Sequence, residues 1–354
     1  MSKTRLADGL RGRWRTRLAV VIAAGMATVT LAACTLPPPP GAAPLRYRDQ
    51  VFSSVDVTSG IPYGSAPDNN GNPVTLTLDM YQPHGDTQTL RPAIVWVHGG
   101  GFCCGSSTSS DVVQLSNYFA KLGYVAVSIN YRLLVSTGCG GNGTPSSDCF
   151  NAALAAQHDA QAAVRWLRAN ATTYGIDPNR IAIGGTSAGA VTSILVGERA
   201  DDPGDSGNPG YSSAVGGFVS ISGGLPTSVA SSFADKSDAP GLFFHGTADQ
   251  TVPYQWGVAT AGALYNAGVG VVFEPLDGAG HVPWQYAQQF EEQSDYFLYD
   301  VMDLAHAAGQ PATAAKAFDR QVQRYVARHP KWLGFEQRLR RRYQPAHARH
   351  AARR

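Results

Sequence analysis

The chain contains no Cys-x-x-Cys spacing, and no histidine pair at ligand spacing accompanies its cysteines, so nothing in it points to a metal site. No segment repeats, which removes solenoids and propellers from consideration. The apolar run Leu18 to Ala33 is 16 residues long, short of the roughly 20 that a membrane-spanning helix needs. Charge is scarce as well, at 15% of 354 residues, and basic charge is concentrated at the two ends. Residues 1–34 hold 6 Lys and Arg against 1 acidic residue, and residues 320–354 hold 11 against 1. The body between them is left with 11 basic and 24 acidic residues, a formal net charge of −13. An acidic body excludes nucleic acid as its partner, because neutralising phosphates needs a positive surface. What remains is a globular composition, 44% hydrophobic, long enough for a large core.

The N-terminus has the plan of an export signal. Arg11, Arg13, Arg15 and Arg17 precede the uncharged run, which ends in Leu31-Ala32-Ala33-Cys34. That ending resembles a bacterial lipoprotein box, which implies cleavage after residue 33 and lipid attachment at Cys34. The expected location is therefore the outer face of the cell membrane, held by acyl chains. Residues 34–46 include four consecutive prolines (37–40), an extended spacer between anchor and body. An exported chain meets oxidising conditions, so Cys103, Cys104, Cys139 and Cys149 are candidates for disulfides. Four cysteines allow three pairings; a staple from Cys139 to Cys149, across a Gly/Ser/Pro-rich loop, is the simplest.

The body, 47–306, reads as alternating strands and helices. Strands are expected at 51–57, 74–81, 93–97, 124–129, 180–183, 214–221, 241–244 and 269–273. Helices are expected at 112–122, 152–174, from 188 to about 197, 254–267 and 283–304. Ala93 to Val97 is a continuous apolar run, the mark of a strand buried on both faces. Such alternation implies an α/β fold with a doubly wound, mainly parallel sheet, whose ligands bind at the carboxyl ends of the strands. The polar stretches 200–213 and 225–239 are surface loops, either of which could border a site as a short lid.

Four loops that follow strands carry chemistry. Gly185-Thr-Ser-Ala-Gly189 is a Gly-x-Ser-x-Gly turn between a strand and a helix, which would expose Ser187 as a nucleophile. His98-Gly-Gly-Gly101 follows the 93–97 strand and supplies backbone N–H groups at Gly100 and Gly101; with Ala188 these form a candidate oxyanion hole. Asp249 follows the 241–244 strand, and His281 follows the 269–273 strand in a Gly-rich loop. The order Ser187, Asp249, His281 is that of an α/β-hydrolase triad. Asp277 and Asp238 are rival acids, Asp249 being favoured because it lies directly after its strand. His98 is read as a loop-positioning residue rather than the base. Asp159 and Arg165 on the long helix are read as structural ion-pair residues.

The segments Val95-Trp-Val-His-Gly-Gly-Gly-Phe102, Ser128-Ile-Asn-Tyr-Arg132, Ala163-Val-Arg-Trp-Leu167, Tyr174-Gly-Ile-Asp-Pro-Asn-Arg180, Gly184-Gly-Thr-Ser-Ala-Gly189 and His245-Gly-Thr-Ala-Asp249 carry a family likeness. From about residue 74 to 304 the chain resembles the α/β-hydrolase carboxylesterase/lipase superfamily. It is most similar there to bacterial hormone-sensitive-lipase-like and feruloyl/acetyl-xylan-esterase-like enzymes. It departs from their pattern at Thr186, where an acidic residue is common, and at the Cys103-Cys104 pair beside the glycine loop. The resemblance implies a serine hydrolase that cleaves a small-molecule carboxylic ester through an acyl-enzyme, with no cofactor and no metal. A serine peptidase of the same fold, or a catalytically silent surface-binding lipoprotein, are the alternatives. The C-terminal residues 307–354 combine an amphipathic helix pattern with an arginine-rich tail. A solvated tail is the default for them, and contact with anionic headgroups or cell-wall polymer is the sharper expectation.

Overall fold

The structure, a computed structural model, describes residues 44–141 and 145–310. The export signal, Cys34, the proline run and the basic segment from residue 311 onward lie outside the described residues. No helix among the described residues is long and apolar enough to cross a membrane.

Eight strands form one sheet: β1 (Val55–Pro67), β2 (Pro73–Pro83), β3 (Arg91–Val97), β4 (Val125–Ile129), β5 (Ile176–Thr186), β6 (Phe218–Ile221), β7 (Gly241–Gly246) and β8 (Val271–Leu276). Their spatial order is β1-β2-β4-β3-β5-β6-β7-β8. β1 pairs antiparallel with β2, and β2 antiparallel with β4. From β4 to β8 every neighbouring pair is parallel. The chain steps from β3 outward to β4, then returns to lay β5 on the other side of β3. This reversal opens a crevice at the carboxyl ends of β3 and β5, where sheets of this kind bind ligands.

Among the described residues, seven α-helices accompany the sheet: α1 (Ser110–Leu122), α2 (Ser147–Ala169), α3 (Ala171–Tyr174), α4 (Ala188–Glu198), α5 (Ala230–Phe233), α6 (Tyr254–Ala267) and α7 (Ala287–Val301). The period-two geometry of the strands divides their side chains between two cores. In β3, Ala93, Val95 and Val97 face a layer containing Ala156, Ala163 and Leu167 of α2, Ile194 of α4 and Leu264 of α6. Ile94 and Trp96 face the opposite layer, with Leu115 and Phe119 of α1 and Phe290 and Leu298 of α7. Burial on both faces explains why β3 reads as an uninterrupted apolar run. α4, under the middle of the sheet, is buried along almost its whole length and apolar on nearly all sides, as an enclosed helix should be.

Several elements differ from expectation. β1 begins later and runs longer than the strand expected at 51–57; most of its side chains are exposed, so its apolar signal is weak. The helix expected over 152–174 starts earlier, where the Ser146 hydroxyl accepts the Cys149 N–H at 3.2 Å, and breaks at Asn170 into α2 and α3. The strand expected at 180–183 extends to Ile176–Thr186, and those expected at 214–221 and 269–273 become Phe218–Ile221 and Val271–Leu276.

Candidate active site

Ser187 occupies the single residue between β5 and α4. Its backbone has φ 54° and ψ −117°, the left-handed side that a residue with a Cβ avoids, so the turn holds the serine under strain. The surrounding packing imposes this conformation. A Cβ at Gly189 would overlap the Val97 carbonyl oxygen, and one at Gly185 would overlap the Gly189 backbone. Only glycine lets β5, the turn and α4 approach β3 this closely. The Ser187 N–H is held by the Ile221 carbonyl at 2.9 Å.

His281, from the loop after β8, approaches the serine directly. Its Nε2 lies 2.8 Å from Ser187 Oγ, and its Nδ1 lies 2.8 Å from Asp249 Oδ2. Asp249 sits in the turn after β7, buried, where Oδ1 accepts the Thr251 N–H at 2.9 Å and the Val252 N–H at 3.1 Å. Burial pushes the Asp249 carboxyl up, but hydrogen bonds from His245 and His281, the charge of His281 and the Thr251 N–H together outweigh it. The carboxyl ends well below the usual carboxylate range. His245 is fully buried, with Nε2 2.9 Å from the Val252 carbonyl and 3.4 Å from Asp249 Oδ2. The His281 loop is fastened from β6: Ser222, itself at φ 58°, accepts the Val282 N–H at 3.0 Å. The rival acid Asp277 is exposed, and Asp238 closes a turn by accepting the Asp235 N–H at 2.5 Å. Neither is hydrogen-bonded to His281.

The glycine loop after β3 takes up positive φ at Gly100 (111°) and Gly101 (59°). A Cβ on Gly100 would overlap the Cys104 carbonyl, and one on Gly101 would stand 2.8 Å from Gly138 Cα. Among the described residues, the N–H groups of Gly100, Gly101 and Ala188 enter no hydrogen bond, leaving all three free to donate. The loop is held from β4 and the residues after it. Ser107 donates from its backbone to Asn130 Oδ1 and from its hydroxyl to Asp79, both at 2.8 Å. Tyr131 donates to the His98 carbonyl at 3.1 Å and stacks on the His98 ring, 4.4 Å between centroids. His98 is buried with Nδ1 2.6 Å from the Gly99 carbonyl, and burial lowers its pKa despite that contact. It therefore stands as part of the loop's support. Arg132 completes the scaffold by pairing with buried Asp159 at 2.8 Å. Asp159 is thus paired, but Arg165 is not its partner. Arg165 instead donates to the carbonyls of Pro203 and Gly207.

A cavity of about 660 Å3 opens over Ser187 and His281. Its walls are the 99–105 glycine loop, the 138–141 loop, Gln250 and Thr251, with Asp111 and Thr186 beside the serine. The bond between Cys139 and Cys149, Cα atoms 5.7 Å apart, closes the 138–141 wall, while Cys103 and Cys104 are free thiols. Neither of the polar stretches 200–213 and 225–239 borders the cavity; both are connecting segments. The 200–213 loop packs on α2 and β1, where Ser206 bonds Asp159 and the Ser65 N–H. The 225–239 stretch leans on α6, where Leu225 donates to Thr260. Sequence reasoning missed Asp111, Ser222 and the 138–141 wall; the paired cysteines bracketing a glycine-rich loop were the signal for the last. Among the described residues, no group of three or more His, Cys, Asp and Glu side chains is arranged to hold a metal ion.

Comparison with known proteins gives two family matches. Residues 78–208 match the BD-FAE family, and residues 157–294 match the Phospholipase/Carboxylesterase family. Carboxylesterase 3B of Mus musculus is 38% identical over 121 residues, which is 33% of this chain and 19% of that protein. Phenmedipham hydrolase of Pseudarthrobacter oxydans is 39% identical over 120 residues, 32% of this chain and 21% of that protein. The chain thus spans about a fifth of the length of these curated relatives. Among solved structures, Thermogutta terrifontis esterase 2 phosphorylated by paraoxon is similar with a TM-score of 0.55 and 26% identity, covering 71% of this chain and 95% of that one. The propionate-bound form of the same esterase gives 0.57 and 26%, covering 75% and 100%.

Proposed function

We infer that the chain is an α/β-hydrolase of the esterase/lipase type and that it hydrolyses carboxylic esters through an acyl-enzyme on Ser187, a reading supported by the two family matches and the esterase structures it resembles. The observation that carries this reading is the continuous hydrogen-bonded line from Ser187 Oγ through His281 to buried Asp249. In that arrangement Ser187 attacks the ester carbonyl while His281 Nε2 takes its proton. Nδ1–H donates to Asp249, whose charge holds the tautomer and stabilises the imidazolium. The N–H groups of Gly100, Gly101 and Ala188, with the positive end of α4 behind Ala188, receive the developing oxyanion. His281 then protonates the departing alcohol, and water, activated by the same imidazole, releases the acid.

The glycine-lined cavity suits a short acyl group, in keeping with the propionate held by a similar esterase. That esterase is phosphorylated by paraoxon, and the same reagent or a fluorophosphonate probe is expected to modify Ser187 here. Mass spectrometry of the labelled chain, with Ser187→Ala as control, tests the reading. Hydrolysis of p-nitrophenyl acetate by the Ser187→Ala variant at an undiminished rate would overturn it.

Anchoring at the outer face of the membrane through Cys34 is part of the same proposal. The basic n-region and the small residues ahead of Cys34 support it. Inhibition of the lipoprotein signal peptidase should leave the unprocessed form, and an unchanged size would count against lipidation. The basic residues of 320–354 would add attraction to anionic headgroups or wall polymer.

A further inference from the structure

The cavity has one ionisable side chain that the mechanism above does not use. Of the residues that line it, only His281 and Asp111 carry ionisable side chains, and none is Lys or Arg. Asp111 reaches the cavity from the first turn of α1. Its Oδ2 accepts the hydroxyl of Thr186, the residue before the nucleophile, at 2.5 Å. Among the described residues no Lys, Arg or His forms an ion pair with it. A carboxylate is therefore fixed next to Ser187, half-buried and without a counter-charge among the described residues. The neutral Thr186 acts as its tether. The body around it has a net charge of −13, which draws cations toward the cleft and repels anions.

We propose that Asp111 makes the site selective for esters that carry a positive charge, an ammonium group on either the alcohol or the acyl side. The proposal rests on the ester-hydrolase reading and names the substrate class within it. A half-buried carboxylate has given up part of its water, and a substrate cation seated in the cavity replaces that lost solvation as well as supplying the missing charge. The anchoring by Thr186 also means that little side-chain freedom is lost when the cation binds. A purely structural role for Asp111, tethering the Ser187 turn and complementing the N-terminus of α1, would affect charged and neutral substrates alike. The two roles therefore separate in a ratio.

The test compares the full chain with Asp111→Asn on two isosteric pairs. Acetylthiocholine against 3,3-dimethylbutyl thioacetate places the charge on the leaving group. The phenyl ester of trimethylglycine against phenyl 3,3-dimethylbutanoate places it on the acyl group. The quantity read is the cationic-to-neutral ratio of kcat/KM. It is expected to fall by about tenfold in Asp111→Asn for at least one pair, and the pair that responds identifies the side on which the charge is read. In the wild-type chain alone, that ratio should also fall as ionic strength rises from 10 mM to 0.5 M, because salt screens a partly exposed pair. This second measurement requires no variant to fold. Ratios that stay within about twofold in both pairs, or that ignore salt, overturn the proposal even if Asp111→Asn slows every substrate. Failure of the wild type to hydrolyse any of the four esters or to be labelled at Ser187 would overturn the hydrolase reading itself, and the proposal with it.

Discussion

Replacing Asp249 by Asn tests the site where its geometry is most specific. Asp249 Oδ2 lies 2.8 Å from His281 Nδ1, and its other oxygen is occupied by two backbone N–H groups. The carboxylate is needed most when His281 has taken the serine proton and is positive. Two unit charges about 4 Å apart, at an effective dielectric of about 20, attract by about 4 kcal/mol, which corresponds to about a thousandfold in rate. Asn can also turn its NH2 toward Nδ1 and favour the wrong tautomer; in a serine protease of unrelated fold, the same exchange costs about 10^4-fold. Asp249→Asn is therefore expected to lower kcat/KM for p-nitrophenyl acetate by about 10^3 to 10^4. Asp277→Asn, an exposed position with no bond to His281, should stay within about twofold. Stopped-flow or steady-state hydrolysis gives the rates, and circular dichroism melts show that both variants remain folded. Retention by Asp249→Asn of more than about a tenth of the activity, or an equal loss in Asp277→Asn, would refute the assignment of the acid.

Three further outcomes follow from the packing around the site. Gly189→Ala forces a methyl group onto the Val97 carbonyl; overpacking of this kind costs about 1–3 kcal/mol, so the thermal midpoint should drop by several degrees and the esterase rate should fall with it. A midpoint equal to wild type would show that α4 can shift away from β3. Asp295 is buried beside Tyr118 and Tyr124, with one oxygen unpartnered, and burial holds its pKa well above the carboxylate range. The unfolded chain therefore gives up this proton at lower pH than the folded one, and stability declines as pH rises above about 4. Asp295→Asn should accordingly raise the midpoint at pH 7 to 8 more than at pH 4, and an equal effect at both would contradict the sign. Replacing Cys139 and Cys149 together by Ser opens a loop closed by residues 10 apart. A loss of about 3 kcal/mol by denaturant titration is expected from chain entropy, together with a higher KM because the 138–141 wall is released.

The parts of the site that local chemistry encodes were legible before any fold was known. Ser187, Asp249 and His281 each stand in a turn just after a strand, and an apolar run ending in glycine marks such a place without reference to the rest of the molecule. The same holds for the oxyanion loop, because three consecutive glycines after Val97 have few other uses. The continuous apolar pattern of β3 likewise announced a strand covered on both faces. Weaker local patterns misled: the exposed edge strand β1 was misplaced, since few of its side chains are buried, and the break at Asn170 between α2 and α3 carries no strong stop signal.

What the sequence by itself determined is thus the set of strand ends and the chemical groups they bear. The tertiary structure decided which of those ends meet, and what surrounds them. The strand order puts β3 beside β5 and carries the His281 loop over Ser187, and that order is a choice among pairings that no single segment contains. Asp111 enters the cavity only because α1 packs across the β3 end. Ser222 supports the His281 loop only because β6 lies between β5 and β7. The two polar stretches with the composition of lids settled on α2 and α6 instead, because composition selects the surface but not which face of the sheet a loop will cover.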